Sequence, residues 1–439
     1  MTIAATHPYI DALLSGCGTL PASGSAWLNE RRSLALERAN ALTVPTTRDE
    51  DWRFTDITPL TKVHFQPVRD AAKPALSDIG RFLVPEAAAR LVFVDGSFAA
   101  GLSSVAGLPA GVRVSTLAEG LKGRDALLEK HLTRHAAFES NLFAAINTSY
   151  LQDGALVTAA KNQAYATPVH LLFVATRKES ASYPRCLVVA ETGSDCTVIE
   201  DYVCLEDGAY FNNAVTEIVV GMGARVRHVK LQRESYDAFH MADCTVMLDK
   251  DATYASHTVT LGARISRHNL SVTQNGEGAE MKIEGLALLS GRQLADTHTL
   301  MDHARPNGRS RQLHKCIVGG AAHAVFNGKV FVHEGAQLTD SAQESRNLLL
   351  SSRAHVDTKP QLEIFADDVK CSHGATVGQL DSEQLFYLRA RGLPEERART
   401  LLTYAFGAEI IDRIPVPSLV ERLEQRVLEQ TTDRDVRKP

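Results

Sequence analysis

The sequence predicts a mainly β chain: a β-solenoid core with helical regions at both ends. Three observations carry that expectation. From about residue 155, short β-rich runs recur, each opened by a turn and a small residue. No helix-length periodic segment separates these runs, which excludes a doubly wound α/β sheet. Helical spacing is confined to the regions before about residue 150 and after about residue 376.

The N-terminal part, residues 1–150, reads as a mostly helical α/β domain. His7 to Leu14 is a short amphipathic candidate. Trp27 to Leu42 is stronger, with Leu28, Leu34, Leu36, Ala39 and Leu42 at roughly helical spacing. Pro45 stops it. In PTTRDEDWRFTDITPL (45–60), Trp52 and Phe54 lie two apart, which suits an extended segment docking aromatics, a packed loop more than a binding site. Asp95-Gly96 between apolar residues predicts a tight hairpin turn. His131 to Tyr150 reads as one helix, with Leu132, Phe138, Leu142, Phe143 and Ile146 on a stripe.

Residues 151–375 form the predicted core. Runs opening at 192, 221, 249 and 276 start about 28 residues apart, and those at 319, 334 and 351 about 15 to 18 apart. Such runs fit a sandwich, a barrel or a solenoid. The repeated turn-plus-alanine unit favours the solenoid, because each coil needs the same corner at the same place. Asn269, Asn275, Gln343 and Asn347 then become ladder or corner amides. The end coils expose strand edges that need a cap or a partner. The switch to helix after about residue 376 supplies one kind of cap: residues 376–439 give one helix opened by Ser382 and broken at Gly392-Leu393-Pro394, a second from Pro394, and a charged amphipathic tail after Pro417 that frays into residues 431–439.

Composition excludes several functions. The chain has 439 residues, long for one compact domain unless part of it repeats. A net charge of -5 and a pI near 6.4 give no electrostatic case for nucleic acid or an anionic membrane. The N-terminus lacks a secretory pattern, and no stretch approaches the roughly 20 apolar residues of a membrane span, so a cytoplasmic protein is expected. The seven cysteines are scattered, without CxxC, and Cys186, Cys196 and Cys204 match no zinc spacing. Reduced, mostly buried thiols are expected. No GxxxxGK[ST] loop, GxSxG elbow or HExxH helix occurs, so no ATP site is expected in this chain.

Two clusters could carry chemistry. His298, Asp302 and His303 could gather around a metal, although the spacing is not diagnostic and corner residues are commoner. Cys371 and His373 are better placed: two apart on a strand, they share a face. A thiolate beside an imidazolium is activated, and both side chains suit iron or iron–sulfur ligation. Two ligands are too few for a stable cluster, so the rest would come from a second chain. Spacing alone favours a buried cysteine beside a hydrogen-bonded histidine.

The run LLLSSRAHVDTKPQLEIFADDVKCSHGATVGQLDSEQLFYLRARGL (348–393) resembles the C-terminal signature of the SufB/SufD family, scaffold proteins of the Suf iron–sulfur cluster assembly system. Gly374 after His373 is similar to the SufD branch, where the SufB branch typically has glutamate. Segments 45–60 and 296–332 resemble the family as well. The resemblance implies a right-handed parallel β-helix flanked by helical domains. It implies a scaffold subunit, not an enzyme, that pairs through its β-helix end with a SufB-like paralogue. A SufC-like ABC ATPase would dock on residues 376–439 and hydrolyse ATP, and a homodimer is the alternative in isolation. His373 carries over as the interface residue contributing to cluster assembly, and as a transient iron ligand, with Cys371 its neighbour. The iron–sulfur cluster would be transient and not held by this chain alone. None of Cys186, Cys196, Cys204, Cys244 or Cys316 matches the family's sulfur-accepting cysteine. A polysaccharide lyase and a hexapeptide acyltransferase are the rivals. The first lacks a charged cleft and a secretion signal here, the second its six-residue rhythm.

Overall fold

One residue with left-handed backbone sits two positions before each of six strands that follow one another in one sheet of the core. These residues are Gly193, Gly223, Asp251, Gly278, Asn307 and Leu338, with φ from 54° to 74° in the computed structural model, which describes residues 8–68 and 70–432. Five of the six are Gly, Asp or Asn, for which this region costs little. Each N–H donates to the corner of the following coil: Gly193 to Met222 O, Gly223 to Lys250 O, Asp251 to Glu277 O, Gly278 to Pro306 O, Asn307 to Gln337 O and Leu338 to Asp368 O, at 2.7–3.2 Å. The repeated turn seen in the sequence is therefore a ladder of identical corners.

The corners join two parallel sheets into a β-solenoid of about eight turns. One sheet contains Asp195–Cys204, Arg225–Arg233, Thr253–Thr260, Glu280–Leu289, Arg309–Val318, Asp340–Leu349 and Lys370–Gly378. The other contains Arg185–Ala190, Phe211–Val220, Phe239–Leu248, Ile265–Gln274, Leu294–His303, His323–Val332 and His355–Ile364. Successive starts within a sheet set a coil of roughly 29 residues. The four runs spaced by about 28 residues sample one sheet, and the three closer ones alternate between sheets. Strands Ala89–Val94 and Val112–Thr116, from the N-terminal part, extend the far end of the two sheets. Asp95 and Gly96, both at positive φ, turn the hairpin that pairs Phe93 with Phe98.

Alternation along each strand sends one set of side chains inward and the other outward. The inward set forms the main core, from Leu91 and Val157 to Val332 and Ala336. The outer face of the second sheet is covered by N-terminal helices, including Ala26–Ala41, through Phe65, Phe143, Phe211 and Phe239. Trp52, in a 3-10 turn instead of an extended segment, stacks on Arg267 at 3.9 Å and packs 5.8 Å from Phe143; Phe54 stays partly exposed. The outer face of the first sheet is covered by Glu395–Ile411 and Pro417–Thr432, through Ile410, Ile411 and Leu419 against Leu286, Leu288 and Ile317. The expected fraying of 431–439 lies mostly outside the described residues.

Two expectations are corrected. Residues 131–150 are not one helix: Ala126–His131 ends, and Leu142–Ser149 starts anew under an Asn141 cap. Between them Glu217, from the sheet below, accepts the N–H groups of Thr133, Arg134, His135 and Ala136. Those donors cannot also continue a helix. Nor does a helix cap the last coil. Ser382–Ala390 has no buried residue, and Gly374–Gly378 are exposed.

The interior holds ionisable groups. Desolvation pushes the pKa of buried His303 and His314 down to about 4. The unfolded chain binds these protons first, at about 6.5, so their contribution is complete above that pH. It is lost as pH falls toward 4, at about 1.4 kcal/mol per pH unit for each imidazole. Burial raises the Asp201 carboxyl, but the Arg233 charge and a His170 hydrogen bond outweigh it and take it to about 2. Its contribution is present above about pH 4 and lost toward 2. Urea midpoints measured from pH 7 to 4 should fall steadily; a flat profile would refute buried neutral imidazoles.

Candidate functional site at the open end

Cys371 and His373 lie on Lys370–Gly378, the edge strand of its sheet. Their spacing puts both on the inward face. Cys371 packs against the main core and is half-buried, whereas His373 is exposed. The expected pairing on one face therefore holds. Burial pushes the Cys371 pKa up, which opposes an activated thiolate and agrees with the buried cysteine that spacing alone favours.

Beneath them runs a polar stack in which Gln343 is one of the expected ladder amides, while its place under the pair follows only from the coil register. Cys371 pairs in register with Ser341, which in turn pairs with Ser310 one coil earlier in the chain. Ser341 and Ser310 hydroxyls are 2.7 Å apart, Ser310 lies 2.9 Å from His303 Nε2, and His303 Nδ1 lies 2.8 Å from Gln274 Oε1. His373 pairs with Gln343, which donates to Gln312 Oε1 at 2.8 Å; Gln312 donates in turn to Thr299. Buried Gln343 Oε1 has no hydrogen-bond partner among the described residues. Aligning the coils at their repeat would have placed Ser341 and Gln343 under the pair. Of the other expected amides, Asn347 reaches the Thr376 carbonyl of the edge strand at 3.0 Å.

The last strand of the other sheet, His355–Ile364, is also an edge and includes Pro360. Proline lacks the N–H of a ladder bond and belongs on an edge. The backbone N–H of His355 donates toward the body of the sheet, to Ala322 O at 3.0 Å. Along a parallel strand alternate residues face alternate neighbours. Pro360 therefore falls where an N–H would point to the open side, and among the described residues both sheets end in an unpaired row of backbone groups.

The 296–303 cluster does not assemble. His298 and Asp302 are on the outward face of Leu294–His303, and His303 is on the inward face, occupied by Gln274 and Ser310. His298 is engaged by Asp296 at 2.9 Å and Asp302 by His333 at 2.7 Å. All seven cysteines are free, and Cys186, Cys196, Cys244 and Cys316 are buried. Among the described residues no helix is long and apolar enough to cross a membrane.

Comparison with known proteins places this open-ended solenoid. The family described as SUF system FeS cluster assembly, SufBD core domain, matches residues 173–406, and the SufBD protein N-terminal region matches residues 4–171. An iron–sulfur cluster assembly SufBD family protein of Synechocystis is 40% identical over 91% of this chain and 90% of its own length. The iron–sulfur cluster assembly protein SufD of Escherichia coli is 35% identical over 88% of each chain, and SufD of Bacillus subtilis is 26% identical over 91% of this chain and 92% of its own. With both regions matched and relatives aligned over most of their length, the chain belongs to the SufBD family of iron–sulfur cluster assembly proteins.

Proposed function

We propose that this chain is a SufD-type scaffold subunit that pairs the open end of its solenoid with a SufB-type paralogue. The iron–sulfur cluster is cargo, built where the two ends meet. One observation carries the reading: among the described residues both sheets end in strands with one side unpaired, and one of those strands presents His373 and Cys371. His373 is the group that reaches the interface. Cys371, its thiol held protonated by burial, lines the site beside it. ATP hydrolysis is assigned to a SufC-type ATPase docked on residues 376–439, where Phe386 and Tyr387 are 73% and 58% exposed on Ser382–Ala390. The division into domains at 150 and 375, the cytoplasmic location and the non-enzymatic role belong to the same reading.

Purification from native cells should recover a paralogous solenoid subunit and an ABC-type ATPase with this chain. In that complex His373→Ala should lower cluster formation about tenfold or more, with subunit composition unchanged. Recovery of the chain alone, or an unchanged cluster yield in the variant, would overturn the proposal.

A further inference from the structure

Two histidines one coil apart converge on one carboxylate. His323 opens His323–Val332, and His355 opens the neighbouring edge strand, directly opposite in register. Asp357 follows two residues later, on the same outward face. His323 Nε2 lies 2.7 Å from Asp357 Oδ2, and His355 Nε2 lies 3.2 Å from the same oxygen. The ligand atoms of all three lie within 4.8 Å of one another. The ring centroids are 5.0 Å apart, with planes inclined at 52°.

From this geometry we infer that His323, His355 and Asp357 form a binding site for a divalent transition-metal ion. Ligand bonds near 2.0–2.2 Å place neighbouring donor atoms roughly 3 Å apart, which the two nitrogen–oxygen separations of 2.7 and 3.2 Å match, with all three donors inside 4.8 Å. Both imidazoles are aimed at one carboxylate oxygen, Asp357 Oδ2, so the three side chains already converge on one place. A metal ion replaces both protons and binds both nitrogens. Two imidazoles and one carboxylate suit zinc or ferrous iron, and do not suit magnesium or calcium, which take oxygen ligands. His355 is exposed and Asp357 and His323 are partly exposed, so solvent water can fill the remaining positions.

This site is separate from Cys371 and His373. It lies on the outer face of one sheet, they lie on the inner face of the other, and it holds no sulfur ligand. It stands whether or not the SufB-type pairing is correct.

The test uses the full, tag-free chain, stripped of metal and titrated with Co²⁺ and then Zn²⁺. One equivalent of Co²⁺ should bind, with d–d bands but no thiolate charge-transfer band, and Zn²⁺ should displace it. His355→Ala and Asp357→Asn should each weaken binding at least tenfold, while Cys371→Ser with His373→Ala should leave it unchanged. Asp357→Asn keeps the side-chain shape, and a melting curve like that of the parent shows that lost binding is not lost folding. Binding well below one equivalent, parental affinity in both triad variants, or a thiolate band that vanishes with Cys371→Ser would overturn the inference.

Discussion

Glu217→Ala should destabilise the chain by about 3–5 kcal/mol, the cost of breaking a buried ion pair by removing one partner. Arg185 and Glu217 are both fully buried, with Nη2 and Oε2 2.5 Å apart. Burial opposes the Glu217 charge, but Arg185 and the converging N–H groups outweigh it and hold the carboxyl below its ordinary value. Alanine would strand a guanidinium, which also donates to Asn147 and Thr148, and four backbone donors from residues 133–136. Glu217 is thus the rivet between the N-terminal helices and the solenoid. Denaturant unfolding should show the loss as a lower midpoint. Arg185→Met combined with Glu217→Leu should recover part of it, because the stranded charge is gone. A single variant within about 1 kcal/mol of the parent would show that the rivet carries little load.

Ala375→Pro should abolish pairing at the open end without unfolding the subunit. Lys370 N–H donates to Thr339 O at 2.8 Å, toward the body of the sheet. Alternation then turns the Ala375 N–H to the empty side, in the same sense as the absent N–H of Pro360. Proline at 375 removes a donor the isolated chain does not use. A partner strand would lose a ladder bond and meet the ring, at a cost of about 3 kcal/mol, near a hundredfold in Kd. Co-purification with the SufB-type subunit measures the loss, and a thermal melt of the variant alone checks the fold. Undiminished pairing would place the partner elsewhere on the molecule.

The solenoid was legible because its corner is a local device: a residue that tolerates positive φ, then a small buried one such as Ala224, Ala252 or Ala279. Cys371 and His373 were legible for the same reason, since period-two alternation acts within three residues. What failed needed the coil register. Ser341 and Gln343 lie one coil below the pair, and His323 lies one coil from His355. Within 296–303, alternation separates His303 from His298 and Asp302. The helix expected over 131–150 failed because Glu217, far along the chain, captures its donors. Pro360, in a run that otherwise reads as strand, was an edge signal in plain view.

The ladder of corners also has a consequence in time. Every rung rests on the one made about 29 residues earlier, so the core can assemble in the order in which it is synthesised. At roughly 5–20 residues per second, a ribosome supplies a rung every few seconds. Each new rung covers the previous raw edge and bares its own. The nascent chain therefore passes through a series of temporary ends, each able to stick to a neighbouring polysome product. Only the last of them is kept.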